Sequence, residues 1–188
     1  WYPGEEGGSA IADVLFGDYN PAGRLPVTFY NCLTDLPRFD DYRMKGRTYR
    51  YCKGKPRYPF GYGLSYTTFS YNNLQVSAES INPENNLTIS IDVTNTGQRA
   101  GDEVIQLYTS HLNPSIRAPL RQLQGFQRIT LQPGETQTLT FTLTRRQFEL
   151  IDDAGERILE PGTFRIAVGG GQPNAKGWNG QRRDMRIG

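Results

Sequence analysis

Groups able to do chemistry are sparse in this chain of 188 residues, and each has a plainer reading beside it. Asp40 and Asp41 are the adjacent carboxylates of residues 31–58, and paired carboxyl groups suggest general acid–base work. Neighbouring residues of an extended chain point to opposite faces, so the pair reads better as ion-pair partners for Arg43 or Arg47. The single histidine, His111, falls in His111-Leu112-Asn113-Pro114 and reads as an exposed loop residue rather than a ligand. Cys32 and Cys52 are the two cysteines. With no Cys-x-x-Cys and one histidine they do not make a structural zinc site, and two cysteines alone leave a disulfide open.

A basic and aromatic run follows the aspartates: Arg43, Lys45, Arg47, Arg50, Lys53, Lys55 and Arg57, among Tyr42, Tyr49, Tyr51 and Tyr58. Such a mixture can bind single-stranded nucleic acid. The whole chain carries only +2, which favours a solvated or ion-paired segment and no nucleic-acid partner. A mean hydropathy of -0.61 and the absence of a long apolar run exclude a membrane-spanning reading. The chain opens on Trp1-Tyr2-Pro3-Gly4 without Met, so the natural N-terminus is expected further upstream.

The elements that must position these groups change character along the chain. Residues 5–16 read as a short amphipathic helix, with Ala10, Ile11, Val14 and Leu15 on one face and Gly17 ending it. Glu5 and Glu6 suit its positive N-terminal end. Asp18–Gly23 is a turn cluster, and Leu25–Tyr30 reads as a strand with Pro26 at its start or edge. One helix and one strand cannot enclose a core, so this part needs something else to pack on.

From Tyr71 the period becomes two. Leu87–Thr94, Leu139–Thr144 and Phe164–Val168 alternate apolar and polar residues, each beside a Gly-containing turn. Shorter candidates are Asn73–Ser77, Val104–Tyr108, Gly125–Ile129 and Phe148–Ile151. About seven strands of this kind predict an antiparallel β-sandwich. Residues 178–186 show no clear period; they either pack back through Trp178 or form a partly mobile end. Pro59-Phe60-Gly61-Tyr62-Gly63-Leu64-Ser65-Tyr66 sets glycines between aromatics and reads as an ordered crossover rather than a flexible linker. The expected division is 1–58, a C-terminal fragment of α/β architecture; 59–70, the crossover; and 71–188, an antiparallel β-sandwich.

These motifs, taken in order, resemble the C-terminal part of glycoside hydrolase family 3, most closely its β-xylosidase branch. Gly4–Gly17 and Asn20-Pro21-Ala22-Gly23-Arg24-Leu25-Pro26 are similar to the end of that family's α/β sandwich domain. Arg47-Thr48-Tyr49-Arg50-Tyr51 and Tyr58–Tyr66 are similar to the passage into its last domain. Asn95-Thr96-Gly97, Ala100-Gly101-Asp102-Glu103-Val104, Leu123-Gln124-Gly125-Phe126, Pro133-Gly134-Glu135 and Val168-Gly169-Gly170 resemble its fibronectin type III-like domain.

The resemblance implies a retaining glycosidase in which one carboxylate attacks the anomeric carbon and another serves as acid and base. It places the nucleophilic Asp in a barrel domain and the acid/base Glu upstream of Trp1, so no catalytic residue is expected in this segment. Glu5, Arg47 and Tyr49 are the candidates for a substrate-facing role, Arg47 and Tyr49 at the cleft rim or fixing the junction. The implied partners are the upstream barrel and α/β domains, on the same or a separate chain, and an oligosaccharide substrate of the parent. No cofactor, metal or membrane partner is implied, and an extracellular or periplasmic location is favoured. Xylose at the non-reducing end is the first choice, with glucose or arabinofuranose as alternatives. A non-catalytic carbohydrate-binding module, with Tyr66, Tyr71 and Tyr108 stacking on sugar rings, is the competing reading, and an adhesion domain a third. Asn86-Leu87-Thr88 is a glycosylation sequon that matters only in a secreted eukaryotic protein.

Overall fold

A computed structural model describes residues 3–82 and 84–188; Trp1, Tyr2 and Pro83 lie outside the described residues. Two helices come first, α1 (Gly7–Phe16) and the single turn α2 (Thr48–Tyr51). The strands are β1 (Phe69–Val76), β2 (Ser80–Ile81), β3 (Leu87–Asn95), β4 (Gly101–His111) and β5 (Gln122–Leu131). They continue with β6 (Thr136–Leu143), β7 (Leu150–Ile151), β8 (Arg157–Ile158), β9 (Gly162–Gly169) and β10 (Gln181–Ile187). One sheet runs β1-β3-β6 and the facing sheet β2-β10-β9-β4-β5, with β7-β8 a small separate hairpin.

The mainly β, largely antiparallel sandwich read from the alternation is what forms. Leu87, Ile89, Ile91 and Val93 of β3 are all fully buried, and the intervening residues face out. Across from them stand Leu143, Phe141 and Leu139 of β6, in a register that keeps every apolar partner on the core side. A one-residue slip would send that whole set to solvent, which is why the register is firm. Ile105 and Leu107 of β4, Phe164, Ile166 and Val168 of β9, and Met185 and Ile187 of β10 complete the core. Each such side chain contributes roughly 1.5–3 kcal/mol on burial.

β1 carries a bulge between Asn72 and Gln75, with Asn73 in the left-handed region at φ 54°. The extra residue shifts the phase of the strand, so that Leu74 rather than Asn73 turns inward. Asn73 Nδ2 donates to Asp92 Oδ2 on β3 at 2.7 Å, which holds the bulge.

Four expectations are corrected. Residues 181–187 pack back on the sandwich rather than ending loosely, and they do so as a strand that no period announced: they form β10, paired along its length with β9 and at its end with β2. Five of its seven residues are polar, and its charges are used across the ladder, where Arg165 grips Asp184 through two hydrogen bonds of 2.7 Å. Leu25–Tyr30 forms no strand, only an isolated bridge between Phe29 and Tyr58. Its backbone bonds go to the 57–62 segment, Leu25 N to Tyr62 O and Gly61 N to Leu25 O, and Pro26 has no N–H to extend the ladder. Phe148–Ile151 is split between a tight turn at Arg145–Phe148 and β7. His111 ends β4 in a buried position, edge-on to Phe164 at 4.5 Å between ring centroids.

α1 starts two residues later than read, with Glu6 as its N-cap, and ends as expected on Gly17 at φ 85°. Its apolar face is uncovered: Ile11, Leu15 and Phe16 are 57%, 73% and 84% exposed, and no helix residue is buried. Amphipathic helices bury such a face, and among the described residues nothing covers it.

Candidate functional site

Polar groups converge where the chain before Phe69 meets the larger sheet. Arg24, in the loop after α1, reaches Glu103 on β4 with an Nη2–Oε1 distance of 2.5 Å, both side chains nearly sealed from solvent. The rest of the guanidinium is occupied by Ala22 O at 2.9 Å, Gly23 O at 3.1 Å and Gly170 O at 3.3 Å. Glu103 Oε1 also accepts from Val104 N at 2.7 Å. Burial pushes the Glu103 carboxyl above its usual range, and Arg24 pulls the other way without cancelling it. Tyr71 lies alongside, its phenol raised by burial and then by the neighbouring carboxylate.

Three further residues, Asn20, Gln106 and Tyr49, lock the same junction. Asn20 Nδ2 donates to Ala100 O at 3.0 Å, and its Oδ1 accepts from Ser65 Oγ and Tyr66 N. Gln106 Nε2 donates to Gly61 O at 3.0 Å, while its Oε1 accepts from Tyr108 Oη at 2.6 Å. Gly61 is required there: its φ is 76°, and a Cβ would overlap the Gln106 amide. Tyr49 stacks on Phe60 at 4.2 Å and stands edge-on to Tyr108 at 6.1 Å. Its hydroxyl accepts from Leu123 N at 3.1 Å and its carbonyl from Arg121 Nη1 at 3.3 Å.

Arg47 and Tyr49 border one groove of about 520 Å³, together with Pro26, Thr28 and Phe60. Arg47 spends its guanidinium on the carbonyls of Arg43, Arg38 and Asp41, stapling its own loop. Glu5 is exposed in the turn before α1 and does not border that groove. Asp41 pairs with Arg43 at 2.8 Å, and Asp40 with Arg38 rather than with either residue named from the sequence. Cys32 and Cys52 are both free. Tyr71 and Tyr108 are buried, so neither is a sugar-stacking surface; Tyr66 is part-exposed, with its hydroxyl donating to Val14 O. Among the described residues no three His, Cys, Asp or Glu converge as a metal site.

The Arg24–Glu103 pair was missed from the sequence. Its signal is Glu103 itself, two residues before Ile105 and four before Leu107 on one strand face, a carboxylate where an apolar residue is due.

Residues 1–66 match the glycosyl hydrolase family 3 C-terminal domain, and residues 103–172 the fibronectin type III-like domain. The chain belongs to the C-terminal part of glycoside hydrolase family 3. Among its relatives, a xylan 1,4-β-xylosidase of Xylanibacter ruminicola is 47% identical over 170 residues, 90% of this chain and 19% of that protein. A periplasmic β-glucosidase of Salmonella typhimurium is 40% identical, again over 90% of this chain and 24% of that protein. The solved β-glucosidase of Erythrobacter marinus superposes on the whole chain with a TM-score of 0.84 at 39% identity, covering 24% of that structure. The chain thus spans about a fifth to a quarter of the length of these proteins.

Proposed function

We propose that this chain is the structural C-terminal segment of a retaining, exo-acting β-glycosidase that releases xylose from the non-reducing ends of plant-polysaccharide oligosaccharides. The observation that carries the choice of sugar is the 47% identity to a protein named a xylan 1,4-β-xylosidase, against 40% for a β-glucosidase. Within the proposal, residues 1–58 close an α/β domain, 59–70 cross over, and 71–188 brace the whole from outside the reaction centre. The catalytic carboxylates lie upstream of Trp1, in barrel and α/β domains that act as this segment's partners.

An inactive role for the segment itself is supported by how its polar groups are used. The Glu103 carboxyl is sealed against Arg24, and Arg47 is bound to backbone carbonyls. A buried carboxyl raised by desolvation can serve as an acid, but it needs an approach to substrate, and this one faces a guanidinium.

The test is kinetic. The gene product that contains this segment should show its highest kcat/KM on an aryl β-xyloside, ahead of the β-glucoside and the α-L-arabinofuranoside. A higher value on the β-glucoside replaces the sugar assigned here. The purified 188-residue chain should turn over none of them, and turnover with contaminating enzyme excluded would sink the structural role. Saturable binding of xylooligosaccharides by the chain alone would instead make it a sugar-binding module.

A further inference from the structure

Away from the Arg24–Glu103 junction, a recess of about 300 Å³ opens between α2, the β4–β5 loop, the turn at Arg145–Phe148 and the β7–β8 hairpin. Arg50, Arg117, Arg146 and Arg157 border it, one from each of those elements, and Glu149 is the one acidic residue in its wall. Four guanidinium groups against one carboxylate leave this small surface at +3, where the whole chain carries +2.

The carboxylate is already in use. Glu149 meets Arg145 at 3.2 Å and Arg157 at 3.9 Å. Arg50, Arg117 and Arg146 form no ion pair with any described residue. Arg117 is steadied over the face of Tyr51, 5.2 Å from the ring centroid, which orients its donors without neutralising them. Surface arginines are ordinarily scattered or matched with acids, and gathering like charges from four elements opposes folding unless an anion joins them. The guanidinium fork fits the two oxygens of a carboxylate or phosphate. The volume stands at the low end of small-molecule sites, about 300 to 1,000 Å³, so the recess admits more than a bare ion.

We infer that this recess binds a compact oxyanion, the carboxylate or phosphate of a small solute. The inference does not rest on the glycosidase reading, and a gene product without glycosidase activity would leave it standing.

Calorimetric titration of the full gene product at low ionic strength would use D-glucuronate, inorganic phosphate and, as the neutral control, the open-chain polyol D-mannitol. The expected result is saturable binding of at least one anion and none of mannitol, weakening as sodium chloride is raised. Tighter glucuronate identifies an acidic saccharide as the source, and tighter phosphate a phosphorylated solute. Arg117→Gln with Arg146→Gln should weaken binding at least tenfold while leaving the melting temperature and glycoside turnover unchanged. Should that pair fail to fold, Arg146→Gln alone should still weaken it severalfold. The inference is overturned if neither anion saturates, if mannitol binds equally, or if the arginine variants bind as the parent does.

Discussion

Arg24 and Glu103, 79 positions apart, meet at 2.5 Å in a nearly water-free contact that ties the loop after α1 to the start of β4. Removing one partner leaves the other charge buried and alone, which typically costs about 3–5 kcal/mol. Arg24→Ala should therefore destabilise the chain by that order in urea unfolding. The double change Arg24→Met, Glu103→Leu should recover most of the loss, since an apolar pair of similar size needs no hydration. Equal losses in the single and double variants would show that the unpaired Glu103 carboxylate is not what the single change costs.

The same contact sets the sign of a pH effect. Glu103 is raised by burial, so the folded state holds its proton to higher pH than the unfolded chain does, and its contribution falls as pH climbs past the ordinary Glu range. Asp102, held down first by Thr130 and also by Arg128, and Asp184, held down by Arg165, work in reverse. The unfolded chain binds their protons more readily, so the stability they add is present above the ordinary Asp value of 3.8 and is lost as pH falls below it. Unfolding free energy plotted against pH should rise through the low-pH side and then decline, and Glu103→Gln should flatten the decline alone. A decline unchanged by Glu103→Gln would remove Glu103 as its source.

Tyr49 joins the crossover to the sheet in two separable ways. Tyr49→Phe keeps the stack on Phe60 and loses only the bond from Leu123 N, a cost of about 1 kcal/mol. Tyr49→Ala loses the stack and the edge contact with Tyr108 as well, and should cost roughly 2–4 kcal/mol. Near-equal losses in denaturant melts would mean that the ring contacts contribute little.

β10 is assigned as an integral strand, and ending the chain at Gly180 tests it. That truncation strips the partner from β9 and removes Met185 and Ile187 from the core. The expected outcome is loss of the cooperative thermal transition. A truncated chain with an intact melting transition would make β10 an accessory.

How far the sequence could be read depended on where the chain faces. β3 and β6 were plain because one side of each is solvent, so Thr and Ser mark the outside against Ile and Leu. β4 is buried on both faces near its middle, where Gln106 and Tyr108 are as covered as Ile105 and Leu107, and alternation says less there. β10 was hidden because its outer residues are charged and paired with β9, a match visible only once the two strands lie side by side. Leu25–Tyr30 has the residue types of a strand, but a strand also needs a neighbour, and the 57–62 segment meets it at a few points only. The Arg24–Glu103 pair left one trace, an acid in an inward phase. Nothing in the sequence names its partner 79 residues away.

The place of β10 also bears on how the chain is made. Residues 181–187 leave the ribosome after every other strand of the sheet, yet they fill the gap between β9 and β2. Until then β9 presents a row of unmatched N–H and C=O groups beside Ile166 and Val168, a ready template for a second nascent chain.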